Sequence, residues 1–254
     1  GKALTQSNGE LYFDGNVVGS GSGSVGSMME DNVKYNISLG SGNMSNNDSG
    51  TKNIALGYNT LAANTTGSNN AGVGYRALYS NTSGASNNAQ GVNALYSNTT
   101  GSYNTGVGQA ALRTNTTGNY NTAVGQAALF NATTASNNTA MGAQSLFANT
   151  TGRENSSVGF QSLYNNTTGS FNNAQGAYAL NKNTTGIKNT AVGQAAMRAN
   201  TTGNQNVAIG QNTMRASNSS FNTGIGAESL YNATSGSKNT TLGYRTLYTN
   251  TTGS

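Results

Sequence analysis

A period of 17 residues constrains this chain more than any other feature. When the Gly that stands four residues before a Leu or Met is taken as position 0, it falls at Gly40, Gly57, Gly74, Gly91, Gly108, Gly125, Gly142, Gly159, Gly176, Gly193, Gly210, Gly226 and Gly243. Every step is 17 except Gly210 to Gly226, which is 16 because "ASNSSFN" is one residue shorter than "ANTTGNQN". The near-copies "NTAVGQAALFN" and "NTAVGQAAMRA", starting at Asn121 and Asn189, lie four periods apart. A fixed period below about 50 residues means a solenoid or array, in which each unit touches only its neighbours. Seventeen is too short for helical-hairpin repeats and shorter than the roughly 20–29 residues of leucine-rich repeats.

The columns of this register differ sharply in chemistry. At +4 stand Met44, Leu61, Leu78, Leu95, Leu112, Leu129, Leu146, Leu163, Leu180, Met197, Met214, Leu230 and Leu247, never a polar residue, and they form the expected core ladder. At −1 the residue is Val, Ile, Leu or Met except at Gln90 and Gln175, and this column is expected to share the core. At −2 every residue is Gly, Ala, Ser or Thr, which marks close approach of the opposite wall of the coil or of a neighbouring subunit. Ten residues after the Gly most units carry a second Gly, preceded by "NTT", which reads as a turn using the positive φ that Gly permits. At +13 an Asn column (Asn53, Asn70, Asn87, Asn104, Asn121, Asn138, Asn172, Asn189, Asn239) predicts a ladder of stacked amides along an axis.

A full helix in every coil conflicts with stacking, because helices are roughly 10 Å across and strands stack at roughly 4.8 Å. The expectation is a short strand over "NTAVG" and an arc or single turn over "GQAAL". The fold class is therefore all-β: a parallel β-solenoid or β-roll of about thirteen coils, roughly 60 Å long. Its core is thin, which favours burial shared between subunits. At +5 the aromatics Tyr79, Tyr96, Phe130, Phe147, Tyr164, Tyr231 and Tyr248 follow the core Leu directly, and they are the candidate intersubunit ladder of a homotrimer.

Residues 1–18 form the first segment, with a hairpin expected over "LYFDGNVV" around Asp14-Gly15. A Gly/Ser linker and lead-in occupy 19–36, and the repeats run over 37–254. The first residue is not Met, so the chain is expected to be processed or cut from something longer; the last repeat stops mid-unit after Gly253. Because an open solenoid end exposes strand edges, more repeats or another molecule are expected to cover it, with end-to-end stacking as one route.

Units such as "NTAVGQAAL", "NVAIGQNTM" and "NTGIGAESL" resemble the "NSVAIG" motif of trimeric autotransporter adhesin heads. They are similar in greater detail to the "NTAVGYQAL"-type repeats of phage and algal-virus tail fibres, and "LYFDGNVVGSGSG" resembles the segment that precedes such repeats. The resemblance covers Leu11 to the end and implies a trimeric fibre; the adhesin heads differ in using a shorter coil.

Composition excludes most catalytic readings. The chain has no Cys, His, Trp or Pro, and seven acidic residues, Glu10, Asp14, Glu30, Asp31, Asp48, Glu154 and Glu228. Neither paired carboxylates for glycoside cleavage nor a zinc, haem or thiol centre can be assembled from that inventory, so no enzyme activity, cofactor or metal is expected. Net charge is +5 with the basic residues scattered singly, which argues against a nucleic-acid partner. No apolar run approaches the ~20 residues of a membrane span.

The leading expectation is a rigid fibre shaft on a virion or cell surface, extracellular, with the chain itself as principal partner and a cell-surface receptor or glycan as a further contact. One alternative is a self-assembling extracellular filament glycosylated along the "NTT" column, since Asn64, Asn81, Asn98, Asn115, Asn149, Asn166, Asn183, Asn200 and Asn250 each lie in an N-x-S/T sequon. Another is an ice-binding solenoid that uses the threonines of the same turn.

Overall fold

The computed structural model describes the backbone of residues 4–7, 10–13 and 16–19 and the whole of residues 35–250. β1 (Leu4–Ser7), β2 (Glu10–Phe13) and β3 (Asn16–Gly19) form an antiparallel sheet, with β2 and β3 joined across residues 14–15 by the pair Phe13↔Asn16. β1 is a strand that the sequence reading did not include. The Asp14-Gly15 turn and residues 20–34 of the expected linker lie outside the described residues.

From β4 (Ile37–Leu39) to β16 (Thr240–Leu242), thirteen strands of three residues each pair in parallel in one sheet. Each strand pairs with its own copy one coil on: Thr122↔Thr139, Ala123↔Ala140 and Val124↔Met141. Across the short unit the strands stay in register, Ala208↔Gly224, so the missing residue is absorbed in the turn. The described residues contain no helix, and the chain is a parallel β-solenoid of about thirteen coils.

The core is a single file of leucines faced by small residues. Leu61, Leu78, Leu95, Leu112, Leu129, Leu146, Leu163, Leu180, Met197, Met214 and Leu230 have no exposed surface, whereas Leu247, in the last coil described, is half-exposed. Ala55, Ala89, Ala123, Ala140, Ala174, Ala191 and Ala208 of the −2 column are fully buried opposite them. The wall they approach belongs to the same chain: a Cβ on Gly106 would lie 3.3 Å from the Ala111 carbonyl oxygen and 3.4 Å from Leu95 Cγ. Small residues are required there because the coil is only one side chain thick.

The −1 column is not part of that core. A strand alternates its faces, so an inward residue at −2 sends −1 and −3 outward. Val73, Met141 and Ile209 are accordingly 40%, 45% and 40% exposed. The Val-like residue counted as core from the sequence lies on the outer face, and the Gln90 and Gln175 interruptions are what an outer face tolerates.

Position +4 has an unusual backbone. Leu61, Leu78, Leu95 and Leu112 have φ between 51° and 53°, and the whole column lies in the left-handed region, as do the +2 and +12 columns. The left-handed turn lets two consecutive residues face inward, Ala77 with Leu78 or Ala94 with Leu95, which a straight strand forbids. A left-handed non-Gly residue costs about 1–2 kcal/mol, and burying a Leu returns about 1.5–3 kcal/mol. Leucine therefore outweighs glycine at this position. Among the described residues, none of the 38 left-handed non-Gly positions is Val, Ile or Thr, in a chain rich in Thr, because branching at Cβ makes that region still less accessible.

Two glycine columns do different work. At position 0, φ lies between 121° and 140°, and a Cβ on Gly125 would stand 2.7 Å from the Gly142 carbonyl, so glycine stacks on glycine through the rod. At +10 the expected positive φ is absent from Gly67, Gly84 and Gly101. Space is the constraint instead: a Cβ on Gly67 would meet Asn64 Oδ1 and the Gly84 carbonyl oxygen, each at 2.4 Å.

Exchange of Leu129 for its isomer Ile and for unbranched Met tests the left-handed column. Leu129→Ile is expected to cost about 2–4 kcal/mol and Leu129→Met less than about 1.5 kcal/mol. Equal urea midpoints for the two variants would remove the backbone explanation.

Candidate functional site

Coils are held to one another at several places besides the strand. Leu78 N–H donates to the Ala94 carbonyl at 3.0 Å and Ser80 N–H to that of Tyr96 at 3.0 Å, which continues a ladder past the arc. In the "NTT" turn, three successive amides, Thr65, Thr66 and Gly67, converge on the Thr82 carbonyl at 2.9, 3.1 and 3.1 Å. The Thr65 hydroxyl joins them at 3.1 Å. The same hydroxyl contact recurs at Thr82, Thr99, Thr116 and Thr184, so the first threonine of each turn serves the next coil.

Two buried asparagine ladders complete the set. At +13, Asn87 N–H donates to Asn70 Oδ1 at 3.0 Å, and Asn87 Nδ2 reaches the Gly101 carbonyl at 2.8 Å. Asn36, Asn155, Asn206 and Asn222 belong to this ladder in addition to the nine residues found from the sequence. At +7, Asn81 Nδ2 donates to Asn64 Oδ1 at 2.8 Å and to the Gly84 carbonyl at 2.9 Å.

This second ladder is the sequon column. Asn64, Asn81, Asn98, Asn115, Asn149, Asn166, Asn183 and Asn200 are fully buried. The Asn98 and Asn183 amides likewise spend their hydrogens on a neighbouring Asn Oδ1 and a Gly carbonyl. A sugar on such a nitrogen would displace both hydrogen bonds, so the eight positions expected to form a glycosylated face lie in the interior of the folded rod. Asn250 is only part-buried, and its Nδ2 lies 3.3 Å from Asn239 Oδ1.

Where the ladder is interrupted the rest of the turn changes with it. Ala132 replaces the +7 Asn, leaving Asn115 Oδ1 buried without a partner, and in that coil Ala135 replaces the +10 Gly. The Cβ of Ala135 is admitted because the Oδ1 it would meet is gone. In the 16-residue unit Asn218 Oδ1 takes the place of the backbone carbonyl, accepting from Thr201, Thr202 and Gly203 N–H at 2.8, 2.9 and 3.3 Å.

The +5 aromatics form an intramolecular stack. Tyr79 and Tyr96 lie 5.1 Å apart at 4°, Phe130 and Phe147 5.1 Å at 19°, Phe147 and Tyr164 5.1 Å at 8°, and Tyr231 and Tyr248 5.0 Å at 7°. Arg113 fills a gap in the file, its guanidinium 5.6 Å from the Tyr96 ring and 5.5 Å from that of Phe130. These rings are half-buried and present edges outward, since their faces cover one another.

The larger unpaired apolar surface is the outer face of the strands. It comprises the −1 column, with Leu39, Val73, Met141, Val158, Ile209, Ile225 and Leu242 all exposed, and it is flanked at +1 by exposed Tyr58, Tyr75 and Phe160. Sequence reasoning missed this face by counting −1 as core; the uniformly small −2 column was the signal that reverses the assignment.

No catalytic constellation appears among the described residues. They include no group of three or more His, Cys, Asp or Glu able to hold a metal, and Glu228 is engaged with Arg245 at 2.7 Å. That hydrogen bond is the main cause that raises the Arg245 pKa above its ordinary value. No helix among the described residues is long and apolar enough to cross a membrane.

Two variants test the interrupted turn. Ala132→Asn alone is expected to bring no gain, because its Oδ1 meets the Ala135 Cβ, whereas A132N with A135G should stabilise by about 1–2 kcal/mol. Asn218→Ala strips three amides of their acceptor and should cost about 1–3 kcal/mol in urea unfolding. Additive effects of the first pair would show that the two positions are not coupled.

Compared with protein-family models, curated proteins and solved structures, the chain matches none.

Proposed function

We propose that the chain is the shaft of a homotrimeric extracellular fibre, borne on a virion or cell surface, in which three rods lie side by side through the outer face of their strands. The observation that carries this reading is the −1 column, an apolar ridge along the sheet broken only at Gln90 and Gln175, with seven of its side chains exposed. Contiguous apolar surface on a protein rich in exposed polar side chains marks an interaction site. A second copy in register offers the same ridge at the same axial spacing, so the chain is its own best complement. The similarity of "NTAVGQAAL" and "NVAIGQNTM" to fibre and adhesin repeats supports the same conclusion. The role is mechanical: every coil is bonded to the next at strand, arc, turn and asparagine ladders, which makes a stiff spacer that carries a receptor- or glycan-contacting element outward.

The seam proposed here lies at −1 rather than at the +5 rings expected from the sequence. Rings at +5 already cover one another, whereas the apolar −1 side chains Val73, Met141, Val158, Ile209 and Ile225 stay exposed. The ice-binding alternative relied on the "NTT" threonines, half of whose hydroxyls are engaged with the next coil.

Light scattering is expected to give three times the 25.8 kDa chain mass. The double variant V124K/M141K places two charges on the ridge without entering the core, and it should dissociate the assembly while leaving the β-sheet circular dichroism spectrum intact. A wild-type monomer at micromolar concentration would refute the trimer.

A further inference from the structure

A notch of about 240 Å³ opens on three successive coils, walled by Lys182, Arg198 and Arg215 over Ala199 and Ala216. The coils are tied directly beneath it, Lys182 N–H to the Arg198 carbonyl at 3.0 Å and Ala199 N–H to that of Arg215 at 2.9 Å. Here the aromatic file is broken, with Asn181, Arg198 and Arg215 occupying the +5 positions between Tyr164 and Tyr231.

The three cations have no counter-charge. The acidic residues of the surrounding coils are Glu154, more than a full coil earlier in the chain, and Glu228, which is bonded to Arg245. The Arg198 guanidinium rests 5.3 Å from the Tyr178 ring, and Arg215 lies 5.6 Å from the Tyr231 ring and donates from Nη1 to its hydroxyl. These contacts hold the arginines in place and leave both Nε–H groups buried without a hydrogen-bond partner, as is that of Arg76 outside the notch. Arg113 is the internal contrast, sandwiched between two rings beside no such notch. Like charges gathered without a counter-charge are destabilising on their own and are relieved by a bound anion at the accessible ends of the side chains.

We propose that this notch binds the acidic group of a single sugar residue, a carboxylate or a sulfate ester. The guanidinium fork matches either group bidentately, Lys182 adds a mobile point charge, and Ala199 and Ala216 offer an apolar floor to the C–H face of a sugar ring. The volume is below the roughly 300–1,000 Å³ of drug-sized sites, which suits one residue rather than an extended chain. The inference deepens the fibre reading by naming a glycan chemistry, but the notch belongs to one chain and does not need the trimer.

The test is titration of the full chain at low ionic strength, followed by NMR or calorimetry, with methyl glucuronide, glucosamine 6-sulfate, inorganic sulfate and neutral methyl glucoside as probes. Saturable binding of the two acidic sugars is expected, with inorganic sulfate at least about tenfold weaker and methyl glucoside silent. R198Q and R215Q should each weaken the acidic sugars by at least about tenfold, whereas R113Q should not. K182Q, at an exposed position, supplies a variant that keeps the fold if either arginine variant melts early. No saturable binding of either acidic sugar overturns the proposal, as does an equal loss in R113Q, which would mean general attraction to a basic rod. Inorganic sulfate binding as tightly as the sugars overturns the saccharide assignment. A monomer that still binds refutes the trimer and leaves the notch standing.

Discussion

The rod depends on a backbone conformation that most side chains avoid. Each coil turns left-handed at its leucine, and that single dihedral brings the leucine and the small residue before it to the same side. Without it the chain would alternate in and out, and a 17-residue loop would enclose no row of large side chains at all. The cost of the conformation is of the same order as the gain from burying one leucine, so the arrangement is stable only as a stack, with hydrogen bonds from coil to coil supplying the margin.

That dependence explains which parts of the architecture were legible in the sequence. The period, the fully buried leucines and the stacked asparagines follow from spacing and residue type alone, since Leu61 to Leu230 recur where a file must pass and Asn53 to Asn239 where amides must meet. The inward pair and the outward −1 column were not legible, because periodicity reasoning assumes an alternating strand and the left-handed leucine breaks the alternation. A mark of it was present: the +2, +4 and +12 columns contain no Val, Ile or Thr, a pattern that only φ explains.

The candidate surfaces were read less well, for a related reason. The sequon column and the turn threonines look like solvent-facing polar residues, yet Asn81 is buried between Asn64 and Asn98 and the Thr82 hydroxyl reaches into the coil above. In an ordinary domain polar residues at turns face water; in a stack only one side chain thick, they have neighbours above and below and become the interior. The basic notch was invisible because Lys182, Arg198 and Arg215 are spread over 34 residues of sequence and meet only through the register.

The +7 asparagine column also gives the rod an electrical sense of direction. Within each uninterrupted run the Nδ2 points to the oxygen of the coil nearer the N-terminus, Asn81 to Asn64, Asn98 to Asn81 and Asn115 to Asn98. The side-chain amide dipoles therefore add head to tail and polarise one another, with Asn115 Oδ1 and Asn200 Oδ1 as the negative termini of two such runs. Two neighbouring shafts pointing the same way and two pointing opposite ways are thus distinct electrostatic arrangements, even though the ridge between them looks alike from either end.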